Sequence, residues 1–187
     1  NQSACNWAEL APTQFISYHE LLFLKAEAQA RLGQDSKSTL QEAIAAAFDN
    51  LAVSVKASIN SNYSRKVKGV STLTGDEAAQ YMENIKSFYD ADPLKEIMIQ
   101  KYLAFFGASG ESVEAYNDIR RALGAGESFI ELQNPQNKPS STHPKGMFPL
   151  RNVYGSGDTT TNKHVEEAYG DGSYVYTEPV WWAGGTR

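Results

Sequence analysis

The residues whose types and spacing suit chemistry lie mostly in the second half of the chain. Asp158, Asp171 and Glu178 fall in loop-rich sequence, where two carboxyls facing each other across a sugar would cleave a glycosidic bond as acid and as base or nucleophile. Acidic residues in such turns are more commonly solvated, and no catalytic role is expected for these three. His164 and Glu167 are one helical turn apart. They would supply two of the four ligands that a zinc ion takes. His19 and His143 add nothing at ligand spacing, so no metal site is expected. Ser109, in Gly107-Ala108-Ser109-Gly110, lacks the spacing of a nucleophile elbow. The chain has no Gly-Lys-Ser/Thr phosphate loop and no Gly-x-Gly-x-x-Gly turn, so neither an enzyme nor a bound cofactor is expected.

Aromatic residues offer a different chemistry. Tyrosine and tryptophan rings stack on the apolar faces of sugars or dock peptide side chains, while their polar atoms bond to the ligand. Tyr63, Tyr81, Tyr154, Tyr174 and Tyr176 lie in or near loops and are the candidate ligand contacts. Trp181 and Trp182 are expected to pin the C-terminus to the core, and Tyr116 is given a packing role too.

These side chains need helices to position them. Ser17 with Glu20 forms a capping box, and Gly33 supplies a left-handed stop. Alanines at 26, 28 and 30 leave room for a close neighbour. A second helix is expected from a Ser38 cap, with Leu40, Ala43, Ile44, Ala47, Phe48 and Leu51 at helical spacing. Two helices on a short loop cannot bury their apolar faces alone, so the pair belongs to a stacked array like tetratricopeptide repeats or packs on further helices of the chain. Thr74 to Glu77 is a second capping box, starting a helix over about residues 75 to 89. Asp92-Pro93 pairs an N-cap with a proline at the first helical position, where a missing N–H costs nothing. Leu94, Ile97, Met98, Tyr102 and Phe105 follow as one stripe. A fifth helix is expected over Glu111 to Leu123, with Val113, Tyr116, Ile119, Arg120 and Leu123 on one face and Gly124 as its stop. The fold class is therefore all-α, with residues 1–124 a tetratricopeptide-like helical portion.

Most of the chain's prolines and glycines fall beyond Ala125. Residues 125–187 are expected to be an irregular segment packed on the helices, because anchors such as Phe148, Leu150, Tyr174 and Trp181 would be missing from a polar linker. Asp171-Gly172 suits a tight hairpin turn.

Composition narrows the function classes. With 187 residues, 41% of them hydrophobic and 21% charged, the chain has ordinary globular composition. A net charge of -5 argues against nucleic-acid binding, which needs a cationic face. The basic cluster Arg65-Lys66-Val67-Lys68 is read as a solvated loop. Cys5 is the only cysteine, so no internal disulfide forms. No apolar run is long enough to span a bilayer, and no signal peptide is visible. Cys5 lacks the preceding apolar stretch that a lipid-attachment site needs. Asn1, in place of methionine, suggests a piece of something longer.

Four stretches together resemble the C-terminal portion of SusD/RagB-family outer-membrane nutrient-binding lipoproteins. Ile16 to Ala28 is similar to the family's "sY.El.fl.AEA" helix, and Ile97 to Phe106 to its "I..QKyia.f". Glu114 to Arg121 resembles "eaw.d.RR". The fourth stretch combines Pro149-Leu150-Arg151-Asn152-Val153-Tyr154 with Val180-Trp181-Trp182. The order agrees as well, although Gly155-Ser156-Gly157-Asp158 stands where the family often has proline and a later glutamate. The resemblance implies a non-enzymatic capture protein on the cell surface. Such a protein is built on tetratricopeptide-like helices and delivers oligosaccharides or oligopeptides to a SusC-like TonB-dependent transporter, with its lipid anchor in an N-terminal part outside this sequence. It also implies that Arg120, Arg121 and Arg151 are structural, bonding loop carbonyls, and that most of the ligand surface lies outside these residues. A helical-repeat interaction scaffold without a small ligand is the alternative.

Overall fold

The computed structural model describes residues 13–60, 75–106, 111–131, 149–169, 174–181 and 184–185. The chain divides into two compact units, Asn1–Ile130 and Glu131–Arg187. The described residues hold helices and no strand, and the fold is an all-α, tetratricopeptide-like helical repeat.

The first unit contains α1 (Tyr18–Arg31), α2 (Lys37–Asn60), α3 (Gly75–Ala91), α4 (Pro93–Ala104) and α5 (Glu111–Gly124). Local chemistry sets several of their ends. The Ser17 hydroxyl accepts the Glu20 N–H at 3.1 Å, and Gly33, at φ 68°, turns the chain out of α1. Asp92 accepts the Lys95 N–H at 3.0 Å, with Pro93 in the first turn of α4. At two ends the structure departs from expectation. Helix α2 begins before Ser38, with the Ser36 carbonyl accepting from Leu40. The Ser36 hydroxyl, almost wholly buried, pairs with the Tyr89 hydroxyl of α3 at 2.9 Å. That long-range bond places Ser36 at the helix entrance. Gly124 remains helical, and Gly126, at φ 76°, makes the left-handed turn that follows α5.

Helix α2 runs antiparallel to both α1 and α3. Gln14, just before α1, bonds Asn50 late in α2 at 2.9 Å. Ser36 at the start of α2 meets Tyr89 near the end of α3, and Phe48 lies 5.7 Å from Tyr81 near the start of α3. Leu22, Phe23 and Ala26 of α1, Leu40, Ala43 and Ile44 of α2, Met82, Ile85 and Tyr89 of α3, and Ile97 of α4 form the core. The buried face of α5 differs from the expected stripe. It consists of Ala115, Ile119 and Ala122, while Val113 and Leu123 are exposed. A pocket of about 10 Å³, roughly one water in size, lies between Met98 and Tyr102 of α4, Ile119 of α5 and the following Phe129 and Ile130.

The second unit carries short helices within its irregular chain: α6 (Ser156–Thr161), α7 (Lys163–Tyr169) and α8 (Tyr174–Thr177). Tyr174, Val175 and Tyr176 are its buried centre, with Tyr169 packed against them. The expected turn at Asp171-Gly172 and the capping residue Thr74 lie outside the described residues. No described helix is long and apolar enough to cross a membrane.

Candidate functional site

In the second unit, three tyrosines and one arginine gather around α8. The Tyr154 and Tyr169 ring centroids are 4.8 Å apart, those of Tyr169 and Tyr174 4.9 Å, and those of Tyr154 and Tyr174 6.0 Å, all tilted. Backbone bonds hold the extended segment 150–154 against α8. The Leu150 N–H donates to the Val175 carbonyl at 2.8 Å, and the Tyr154 N–H to the Tyr174 hydroxyl at 2.9 Å. Arg151 donates to the Pro179 carbonyl at 2.9 Å and sets its guanidinium 5.8 Å from the Tyr174 ring centre. The hydrogen bond with Tyr169, followed by that neighbour's charge, lifts the Tyr154 hydroxyl above the ordinary phenol range. The arrangement is suited to ring stacking and hydrogen bonding.

The candidate tyrosines therefore separate. Tyr154 and Tyr174 share the cluster, but Tyr174 is 5% exposed and Tyr154 40% exposed, so Tyr154 alone of the two offers a ring to solvent. Tyr176 is buried in the unit's centre. Tyr81 sits in the first unit, packed on Phe48, with its hydroxyl donating to Gln100 at 2.9 Å. Tyr63 and Trp182 lie outside the described residues, and Trp181 is exposed. Tyr169, which is not among the candidates expected from the sequence, is central. Its signal was an aromatic residue at a helix end just before Gly170-Asp171-Gly172.

Other candidates stand on separate elements or lie outside the described residues. Asp158 opens α6 and Glu178 follows α8, while Asp171, His143 and Ser109 are outside the described residues. His164 is exposed on α7, its ring nitrogen 3.4 Å from Glu167. Among the described residues, no three His, Cys, Asp or Glu side chains gather as metal ligands would. A shallow groove of about 480 Å³ runs along the start of α1 and the middle of α2, with Tyr18, Glu42, Asp49 and Val53 on its walls.

The arginines take different places. Arg151 bonds a loop carbonyl, as described above. Arg120 is exposed and covers Tyr116, 5.7 Å from its ring centre. Arg121 bonds carboxylates, where loop carbonyls had been expected: Glu27 of α1 at 2.7 Å and Asp118 at 2.9 Å. Those two bonds, Asp118 first, raise the pKa of its guanidinium further. Glu27 also receives Arg31 at 2.8 Å, Arg31 forks onto Glu127 through two bonds of 3.0 Å, and Asp118 receives Lys101 at 2.6 Å. Lys101 is 2% exposed and lies 5.6 Å from the Phe105 ring centre. Arg31 holds the Glu127 carboxyl below the ordinary carboxylate range, mainly through the hydrogen bond. Glu27, Lys101, Asp118 and Arg121 come from three of the four sequence stretches noted above, and the fold joins them in one polar network.

A family model described as "SusD-like: Susd and RagB outer membrane lipoprotein" matches residues 1–183. Among solved structures, a crystal structure of a SusD/RagB family protein from Bacteroides thetaiotaomicron is similar, at 47% sequence identity and a TM-score of 0.76. The match covers 98% of this chain and 38% of that one, so the chain spans little more than a third of that relative's length. No curated protein matches the chain.

Proposed function

This chain belongs to the SusD-like family of SusD and RagB outer-membrane lipoproteins. On that premise we propose that it is the C-terminal portion of a cell-surface receptor that captures an oligosaccharide or oligopeptide and passes it to a SusC-like TonB-dependent transporter. The observation that carries the reading is the family match over residues 1–183. The helical unit serves as a rigid scaffold, and the receptor acts by binding without chemical conversion of its cargo. A lipid anchor in an N-terminal part of the protein keeps it at the outer membrane. Within this chain, Tyr154 is the ligand contact, since the residue is 40% exposed and its ring is braced by Tyr169 and Tyr174. Arg151 and Tyr169 position that ring, Tyr174 and Tyr176 support it from the core, and Tyr81 acts in the scaffold.

Calorimetric titration of the full-length natural protein with panels of oligosaccharides and oligopeptides tests the proposal. The expected result is saturable binding of one class, weakened about tenfold by Tyr154→Ala, in line with the loss of one stacking contact. Absence of binding to either panel would overturn the capture role. Binding that Tyr154→Ala leaves unchanged would remove Tyr154 from the site.

A further inference from the structure

Six side chains of alternating charge form a line in the first unit: Lys101, Asp118, Arg121, Glu27, Arg31 and Glu127. Each inner member touches one neighbour of opposite sign on either side, and three cations balance three carboxylates. The line leaves α4 at Lys101, enters α5 at Asp118, crosses to α1 at Glu27 and returns at Glu127 to the irregular stretch after α5. Helices α1 to α4 approach one another closely, whereas α5 makes no comparable backbone approach to any described helix. The apolar face it buries consists of Ala115, Ile119 and Ala122, which is small for a helix of 14 residues.

We propose that this charge line is a clasp that docks α5 and residues 125–130 onto α1 and α4 as one releasable element, separate in stability from the α1–α4 bundle. Paired charges suit such a task. Their geometry is specific, yet after desolvation they add little net stability compared with apolar packing of the same volume, so an element held by them opens at lower cost than the core. Glu127 is the last member, and the chain passes from it to the start of the second unit at Glu131. The clasp thus fixes the point at which the chain leaves the helical unit, and its opening would free residues 111–130 to act as a longer link.

Amide hydrogen exchange of the full chain, followed by mass spectrometry, tests this with Arg121→Ala and Glu127→Gln. Arg121→Ala cuts the line at its middle and is expected to speed exchange about tenfold in α5 and residues 125–130, with α2 and α3 unchanged. Glu127→Gln cuts one outer link and is expected to speed exchange about threefold in the same region. Acceleration by one common factor in all five helices, or in none, would overturn the proposal. If Arg121→Ala does not fold, Glu127→Gln carries the test, because it alters a partly exposed residue at the end of the line.

Discussion

Replacing Arg151 probes whether the second unit depends on a guanidinium or only on an apolar stem. The side chain is half-buried, donates to the Pro179 carbonyl at 2.9 Å and lies 5.8 Å from the Tyr174 ring centre. A hydrogen bond from a charged donor contributes about 1.5 to 3 kcal/mol, and partial exposure puts this one at the lower end, about 1.5 kcal/mol. The cation over the ring adds about 0.5 kcal/mol at such a site. Arg151→Ala should therefore cost about 2 kcal/mol. Arg151→Lys should cost about 1.5 kcal/mol, because lysine keeps the charge near the ring but lacks the planar fork that reaches the carbonyl. Urea unfolding of the full-length protein followed by amide exchange in residues 150–154 and 174–181 reads this out, since it reports on the second unit by itself. An Arg151→Ala variant as stable as the parent would refute the reasoning. So would a lysine variant indistinguishable from the parent, because the bond to Pro179 would then contribute nothing.

Three further outcomes are expected. Phe23→Ala, at a fully buried position in the α1–α4 core, should lower stability by about 3 to 5 kcal/mol in the same kind of urea experiment. At Gly185 an added Cβ would lie 1.9 Å from the Pro179 carbonyl oxygen. Gly185→Ala should therefore shift that backbone and break the Arg151 bond to Pro179, giving a stability loss non-additive with Arg151→Ala. The pH dependence has opposite signs at two sites. Arg31 depresses the Glu127 carboxyl, so its contribution is present above the unfolded carboxyl's pKa of about 4.3 and is lost as pH falls through the lower folded value. The raised Tyr154 hydroxyl contributes below the unfolded phenol's pKa of about 10, and that contribution is lost as pH rises through the higher folded value. Carboxyl NMR titration and absorbance at tyrosinate wavelengths check the two directions.

Helix existence was legible in the sequence wherever the signal was local. Ser17, Gly33 and Asp92-Pro93 act on backbone within a few residues of themselves, and each end stands where its chemistry puts it. The start of α2 was misplaced by two residues because Asp35-Ser36-Lys37-Ser38 offers several caps, and the choice rests on Tyr89, 53 residues away. The buried stripe of α5 was misjudged for a related reason. Large apolar residues suggested the inner face, yet Lys101 and Arg121 donate to Asp118 and Glu27, and the face turned inward is Ala115, Ile119 and Ala122. Bonded members of the charge line are up to 96 residues apart, and no spacing rule joins them. Tyrosine content hinted at a site in the second unit, but Tyr169 joins it only because α7 ends there and α8 folds back beside it.

The central claim is that this chain forms part of a transporter-coupled surface receptor. Its most direct test is affinity isolation of the natural full-length protein from detergent-solubilised outer membranes, with mass spectrometry of whatever is retained. The account predicts a SusC-like TonB-dependent transporter in near-equal amount. Recovery of the full-length protein from that fraction without any such transporter would contradict it.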